Sequence, residues 1–488
     1  MTAKDARRLG HSCLVVQFCV LLFVLALVGI YRTTSLDPER AIYPTSVLLL
    51  GLLIWSLWSW RALTGSLFDP YCLVFISGTL FNAGQPILEV FGLNRNGILD
   101  GMFPADTTLS ALLLVAIGLS SLHLGALACL ARSRIQPQGR GGRPDGSSEP
   151  SQGDLRLVGV ALLVVSLAPA LIQLSKAVSV VMASGYFALY QQDSVFGVAA
   201  APQVLAAFLV PSALFLLAGS KHRPRTAAIS VIVIIGYALV SFFLGARGGG
   251  AYPLVAAAWL FHRWIRRLPP LVIAVASFAV LFVAFPLIRE TRGIAGEARL
   301  SAPVLVDSFS SIDNPVAAVV SEMGGSLRTV AHTLELVPAS RPFDMGAGYM
   351  YAALAVIPNL FWDVHPAMGH GIYAVWLVQT VEPLLAQVGG GLGFSFIAEA
   401  YANFGWPGTP LLFMIMGFLL VRIVVWAEWG DRPARSAMLA SFLAFLLFFP
   451  RSESIVVFRA LLWYGFLPYC MALVLQTYRI SRRARRGF

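Results

Sequence analysis

Twelve stretches of about 20 apolar residues recur along the chain, and each is long enough to cross the roughly 30 Å hydrocarbon core of a bilayer. Only 12% of the residues are charged and 58% are hydrophobic, whereas soluble domains carry about 25% charged residues. The sequence therefore predicts an all-α polytopic integral membrane protein. The twelve predicted spans lie near residues 11–31, 44–60, 71–92, 107–131, 155–175, 196–219, 226–245, 249–264, 270–288, 405–427, 434–450 and 454–477.

The connecting segments differ in charge from one side of the membrane to the other. If the N-terminus is cytoplasmic, the alternate loops and the C-terminal tail hold 23 Lys and Arg but 7 Asp and Glu, against 12 and 17 on the opposite side. This asymmetry follows the positive-inside rule and predicts that both termini are cytoplasmic. The short eighth stretch must then cross, and the apolar piece "YAVWLV", Tyr373–Val378, must be interfacial or re-entrant. The net charge of +11 does not indicate a nucleic-acid partner, since no compact basic soluble domain remains.

These features divide the chain into six regions. Residues 132–154 are rich in Gly, Pro, Ser and Arg, which is typical of a flexible cytoplasmic linker. Residues 289–404 form the one large extracytoplasmic loop, and a loop of this length is usually functional. The predicted regions are 1–131 with spans one to four, the linker 132–154, the central spans 155–288, the loop 289–404, the last three spans 405–477 and the basic tail 478–488.

Arginines at the ends of spans are the first candidate site. The extracytoplasmic side holds few basic residues, yet Arg247 in "GARGGG" follows span seven, and Arg289 and Arg292 follow span nine. Arg451 precedes span twelve, and in a continuous helix Arg459 would lie about 12 Å deeper in the membrane. Guanidinium groups bind phosphate in a bidentate manner, and glycines let backbone N–H groups approach an anion. The alternatives are ion pairs with buried carboxylates, snorkelling to the interface, or glycines that serve only a turn.

The second candidate site is the stretch "GFSFIAEAYANFGWPG". On a helix, Glu399 and Asn403 would share a face, with Tyr401 close by. A carboxylate at a membrane edge can act as a general base towards a sugar hydroxyl or can pair with an arginine. Glu322, His332 and His370 are alternative candidates for the base. The sequence contains no convincing metal-ligand pattern and no nucleotide-binding motif, so neither a metal nor a cofactor is predicted.

The segment "EAYANFG" resembles the signature of the Wzy-type polymerases of oligosaccharide repeat units, the O-antigen polymerases. Supporting elements are "GARGG" between two central spans, "SEMGGSLRTVAHTLELVP" and "GAGYMYAALAVIP" in the large loop, and "PRSESIVVFR" before the last span. The resemblance covers roughly residues 180–470, and the first four spans match only in hydropathy. The long linker 132–154 and the long basic tail depart from many members of the family.

The resemblance implies a GT-C-type glycosyltransferase at the periplasmic face of a bacterial inner membrane. It would join undecaprenyl-pyrophosphate-linked repeat units into O-antigen or exopolysaccharide and release the lipid pyrophosphate, with a flippase and a chain-length regulator as possible partners. Glu399, Arg247 and Arg289 would be catalytic. Substrate-binding residues would be Arg292, Arg451, Arg459, Tyr401, Asn403, Glu322 and His332.

Three other classes of protein remain open at this stage. An O-antigen ligase shares the topology and the arginines but uses a lipid core as the acceptor. A transporter of lipid-linked oligosaccharides would show inverted repeats and paired broken helices, which are not clear in this sequence. A scaffold role is disfavoured by arginines inside the membrane.

Overall fold

The protein is all-helical, as the hydropathy pattern predicts. A computed structural model describes residues 3–34, 37–94, 97–135, 149–191, 200–296, 299, 301–359, 362–428, 430 and 432–486, and no strand occurs among them. Eleven helices in this part of the chain are long and apolar enough to cross a membrane. They are Arg8–Thr33, Pro38–Thr64, Pro70–Val90, Ala105–Ser133, Gln152–Ser184, Ala201–Ala218, Pro224–Leu244, Pro270–Thr291, Phe396–Glu428, Pro433–Arg451 and Ser454–Arg482. The prediction of a polytopic membrane protein is confirmed.

The predicted eighth span is present as the 18-residue helix Arg247–Trp264, although it is not one of the eleven. Arginines and a histidine near its two ends lower its mean hydropathy. At 1.5 Å per residue it is about 27 Å long, close to the thickness of a hydrocarbon core. Trp259 and Leu260 are buried among neighbouring helices, so this helix needs fewer apolar residues than one that faces lipid.

Proline and aspartate define where several spans begin. Asp37 and Asp69 are N-caps whose side chains accept a hydrogen bond from the backbone two residues later, at 3.1 and 2.9 Å. Pro38 and Pro70 then occupy the first helical position, where a missing N–H costs nothing. Local sequence therefore specifies these helix starts independently of the membrane.

The helix Ala105–Ser133 lies at the centre of one half of the bundle, and 94% of its most apolar stretch is buried inside the protein. It packs closely against Phe396–Glu428. A Cβ on Gly125 would lie 1.9 Å from the carbonyl oxygen of Met414, and one on Gly417 would lie 1.9 Å from that of Leu122. Glycine is required at both positions, as is common where transmembrane helices approach closely.

The segment between Pro270–Thr291 and Phe396–Glu428 folds into short helices. They are Ala302–Ser310, Pro315–Met323, Ser326–Leu336, Ala347–Leu354, Pro366–His370, Tyr373–Val381 and Pro383–Gln387. The "YAVWLV" stretch lies in Tyr373–Val381, whose nine residues are too few to span a bilayer. Several helices begin earlier than predicted, and the largest difference among the later spans is at the tenth, which starts at Phe396 rather than 405. Most of the predicted linker 132–154 lies outside the described residues.

The helix Phe396–Glu428 is kinked immediately after "EAYAN". Gly405 has φ 62°, in the left-handed region, and Pro407 and Pro410 follow within the same helix. Because Pro407 has no N–H, it leaves the carbonyl oxygen of Asn403 without its intrahelical donor. That oxygen accepts a hydrogen bond from Met345 N at 2.9 Å instead. The kink thus attaches part of the large loop to the membrane helix.

Candidate functional site

Arg247 lies at a tight turn between two antiparallel helices. Gly245 ends the helix Pro224–Leu244 with φ 92°, and Arg247 begins the next helix. A Cβ on Gly245 would lie 2.8 Å from the Tyr186 ring and 3.3 Å from Arg292 Cβ, so glycine allows the turn to approach Arg292. The three glycines that follow Arg247 form the first helical turn, and no side chain in the described part of the chain caps its N–H groups.

Glu322, on the helix Pro315–Met323, is the common partner of three arginines. Arg247 donates from Nη1 to Oε2 at 2.7 Å and from Nη2 to Oε1, which is a bidentate pair. Arg289 Nε lies 3.8 Å from Oε2, and Arg292 Nη1 lies 3.8 Å from Oε1. The structure therefore brings together three arginines from the ends of two different spans.

Arg451 joins this group from a third place in the chain. It ends the turn Phe449–Arg451 and interacts electrostatically with Glu322, Arg247 and Arg292. Its guanidinium lies 5.8 Å from the centre of the Phe81 ring and forms no ion pair with the residues that the structure describes. Arg247, Arg289, Arg292 and Arg451, with Glu322, are called the arginine cluster below.

The arginine cluster carries excess positive charge. Burial raises the pKa of Glu322, but its hydrogen bonds with Arg247 and the nearby charges of the other arginines outweigh burial and hold that pKa below its usual value. Among the described residues, Glu290 is the one other carboxylate paired with these arginines, at 3.7 Å from Arg289 Nε. Four guanidinium groups and two ionised carboxylates leave two positive charges in excess. The Arg289 side chain is 44% exposed and Arg247 only 14%, so an anion can reach a partly buried cationic surface.

Glu399 has a different environment. It is 1% exposed, and its carboxylate accepts hydrogen bonds from Ser454 N at 2.9 and 3.1 Å and from Ser454 Oγ. It therefore holds the first residue of the helix Ser454–Ala460. Within the described residues it forms no hydrogen bond or ion pair with any arginine. These contacts hold the start of that helix, and the role of Glu399 as a base stays a prediction.

Asn403 and Tyr401 hold the helix Phe396–Glu428 against the large loop. Asn403 Nδ2 donates to Tyr373 Oη at 3.1 Å, and its Oδ1 accepts from Gly348 N at 3.2 Å. Tyr401 donates from its hydroxyl to the carbonyl oxygen of Val337 at 3.2 Å. Both side chains are buried, and their predicted role in substrate binding stays a prediction.

A second polar group, which we did not predict from the sequence, surrounds Asp344. Its Oδ2 accepts from Arg341 Nη2 at 3.0 Å, from His370 Nε2 at 3.0 Å and from the Tyr373 hydroxyl. Burial and this hydrogen bond raise the pKa of Tyr373. Asp344 N is bonded to the carbonyl oxygen of Ala402 at 3.0 Å. Asp344, Arg341, His370 and Tyr373 are called the Asp344 cluster below.

The sequence contains only a weak signal for the Asp344 cluster. Arg341 and Asp344 are three residues apart in "SRPFD", but Pro342 precludes an interpretation by helical spacing. His370 and Tyr373 come from later segments, so only the tertiary fold unites them.

Two predicted site residues lie apart from both clusters. His332 packs edge-on against the Phe103 ring, with ring centres 4.7 Å apart, and Arg328 donates to its Nε2 at 3.4 Å. Burial, followed by the charge of Arg328, lowers the pKa of His332 to about 4. Arg459 is exposed on the outside of the helix Ser454–Ala460. The prediction of one continuous helix from Arg451 to Arg459 is wrong, because the chain leaves helical geometry at Ser452 and Glu453.

The fold and these clusters define a multi-pass membrane protein with a partly buried cationic site at the ends of its spans. Among the described residues, no three His, Cys, Asp or Glu side chains are grouped so that they could hold a metal ion. The model of the family of O-antigen polysaccharide polymerases Wzy matches residues 14–483, and the chain belongs to this family. Members act on lipid-linked oligosaccharide repeat units and polymerise O-antigen. Comparisons with curated proteins and with solved structures gave no match.

Proposed function

We propose that the arginine cluster binds the pyrophosphate of the donor, a growing glycan on undecaprenyl pyrophosphate, and stabilises it as it leaves. The observation that carries this proposal is the excess positive charge around Glu322. A pyrophosphate brings concentrated negative charge, and preorganised guanidinium groups in a partly water-excluded site stabilise charge that develops on a leaving group. Binding strengthens as the glycosidic bond breaks, because the leaving oxygen becomes more negative.

The individual residues have distinct roles in this proposal. Arg247 is fixed by its bidentate pair with Glu322 and provides the rigid part of the site. Arg289 and Arg292 lie farther from Glu322 and are more exposed, so they are free to turn towards phosphate oxygens. Arg451 forms no ion pair among the described residues, so we expect it to be the cation that gains most from a bound anion. The uncapped first turn of Arg247–Trp264 adds backbone N–H groups.

The same proposal includes the membrane setting. The positive-inside pattern favours cytoplasmic termini and an arginine cluster on the periplasmic face, where no nucleotide sugar is available. The enzyme would then be a GT-C-type glycosyltransferase that needs neither a nucleotide sugar nor a metal. A flippase would supply the lipid-linked units, and a chain-length regulator would be a further partner.

Substitution of Arg247 tests this function. With lipid-linked repeat units as both donor and acceptor, the wild type should produce a ladder of chain lengths, whereas transfer only to a lipid core would indicate a ligase. Arg247→Ala should lower the rate of chain extension by about 100-fold or more. Arg247→Lys should also lose most of the activity, since lysine lacks the bidentate fork.

The matched control is Arg328→Ala. Arg328 pairs with Glu382 in the same extramembrane region but outside the arginine cluster, so its loss should leave chain extension within a few-fold of wild type. The double variant Arg247→Ala with Glu322→Ala removes both partners of the ion pair. Recovery of full activity in the double variant would mean that Arg247 only neutralises Glu322, and the proposal would fail.

A further inference from the structure

We propose that the Asp344 cluster is the acceptor site and that His370 is the general base for the acceptor hydroxyl. This inference rests on the proposed function. It replaces Glu399, whose carboxylate is buried and already hydrogen-bonded to Ser454. The ligand is a sugar hydroxyl of a lipid-linked repeat unit, which must reach the base from the solvent side of the loop.

His370 has the contacts that a base requires. Its Nε2 donates to Asp344 Oδ2 at 3.0 Å, which places the proton on Nε2 and leaves the lone pair of Nδ1 available. No residue that the structure describes forms a hydrogen bond with Nδ1. The ring stacks on Tyr351, with centres 4.5 Å apart and planes inclined by 19°. The side chain is 18% exposed, whereas Glu399 is 1% exposed.

Asp344 orients His370 and does not act as the base itself. Arg341, His370 and Tyr373 all donate to the same oxygen of Asp344. These three bonds fix the Oδ2 atom of Asp344 and, through it, the position of the His370 ring, so the proposal gives Asp344 the orienting role. Tyr373 is in turn held by Asn403 at 3.1 Å, which links this arrangement to the helix that carries "EAYANFG".

The arginine cluster and the Asp344 cluster are connected by the stacked rings of Phe394 and Tyr373. Phe394 N donates to the carbonyl oxygen of Arg451 at 3.3 Å, and the Phe394 ring stacks on the Tyr373 ring with centres 5.4 Å apart. Tyr373 then contacts Asp344. Arg451 of the arginine cluster is therefore connected to the Asp344 cluster through two stacked rings. In this proposal the donor pyrophosphate binds at the arginine cluster and the acceptor hydroxyl at the Asp344 cluster, with the two stacked rings between them.

The glycosyl transfer needs only these groups and water. The acceptor oxygen forms a bond to the anomeric carbon of the donor glycan, and its proton passes to Nδ1 of His370. The bond from that carbon to the pyrophosphate oxygen breaks, and its electron pair leaves with the lipid pyrophosphate against the arginine cluster. His370 then releases the proton to water before the next transfer.

The test compares two histidines of the same segment. His370→Gln should lower the rate of chain extension by about 100-fold or more while the affinity for a prenyl pyrophosphate without a glycan stays unchanged. His365 is the control because both of its nitrogens are occupied: Nδ1 accepts from Ala367 N at 3.1 Å and Nε2 contacts the carbonyl oxygen of Ile357 at 3.1 Å. His365→Asn keeps a capping oxygen and should retain activity.

The pH dependence gives a readout that a structural role would not produce. The rate of the wild type should fall on the acid side of its pH profile as the base becomes protonated, and residual activity of His370→Gln should lack this limb. Arg341, Asp344, Tyr351 and Tyr373 are the charged or titratable side chains that surround His370.

The outcomes separate the two proposals. A wild type that neither binds prenyl pyrophosphate nor forms a ladder would overturn the proposed function. Two results would overturn only the role of His370. One is an active wild type whose rate does not fall at acid pH, and the other is a His370→Gln variant that extends chains at the full rate. The acid limb is measured on the wild type, so this result does not depend on the folding of any variant.

Discussion

Two groups of charged side chains meet at the turn that joins Phe449–Arg451 to Ser454–Ala460, and they differ in how completely their charges are satisfied. On one side, Arg451 belongs to a cluster with more guanidinium groups than carboxylates. On the other side, the carboxylates of Glu399 and Glu453 are buried and accept hydrogen bonds from backbone N–H groups. We therefore expect a charge at the end of a span to indicate a binding site only where its hydrogen-bonding capacity remains open.

Substitution of Glu399 is expected to have the largest effect on stability. Glu399→Ala would leave the N–H and hydroxyl groups of Ser454 buried without acceptors, which costs about 2–5 kcal/mol of unfolding free energy. Glu399→Gln keeps an acceptor oxygen and should lose less than half of that. Thermal unfolding in detergent measures this difference, and the chain-extension assay measures activity in parallel.

The glutamine variant decides between the two roles of Glu399. If the carboxylate only holds Ser454, Glu399→Gln should extend chains within about 10-fold of wild type. A folded Glu399→Gln protein that is about 100-fold slower would restore Glu399 as the base and would remove the contrast between the two groups.

How well the sequence predicts these groups depends on how far apart in the chain the contacting residues are. Apolar length predicted the spans, and the alternation of the loops predicted that Arg247, Arg289, Arg292 and Arg451 lie on the same side. The choice of Glu399 as base came from a motif on one helix face. The residue that donates to its carboxylate, Ser454, is 55 residues away, so the motif gave no sign of that contact. The bond from His370 to Asp344 likewise joins separate loop segments. Hydropathy and spacing contain no information on such contacts.

Glu453 predicts a pH dependence of stability that the arginine cluster does not share. Burial raises the pKa of Glu453 to about 7, above its ordinary value of 4.5. A carboxyl group whose pKa is raised on folding stabilises the fold fully below the unfolded pKa, and this contribution is lost as the pH rises through about 7. The melting temperature should therefore decline between pH 5 and pH 8. Glu453→Gln should flatten the decline.

Glu322 gives a pH dependence of stability with the opposite sign. Its pKa is lowered on folding, so its contribution is present above the ordinary carboxyl pKa and is lost only as the pH falls through the lower folded value. The two effects therefore occupy different pH ranges. A wild-type melting temperature that stays constant from pH 5 to pH 8, or a Glu453→Gln variant with the same decline as wild type, would contradict the assignment to Glu453.

Arg459 is expected to show the smallest effect and tests the boundary of the arginine cluster. The helix break at Ser452 and Glu453 turns Ser454–Ala460 so that Arg459 is exposed, whereas Arg451 interacts with Glu322. Arg459→Ala should therefore change the rate of chain extension by less than about 2-fold, because among the described residues Arg459 forms neither a hydrogen bond nor an ion pair. Arg451→Ala, at the other side of the same break, should lower the rate by about 100-fold. Equal losses in the two variants would extend the cationic surface along the last span, and excess charge around Glu322 would no longer distinguish the site.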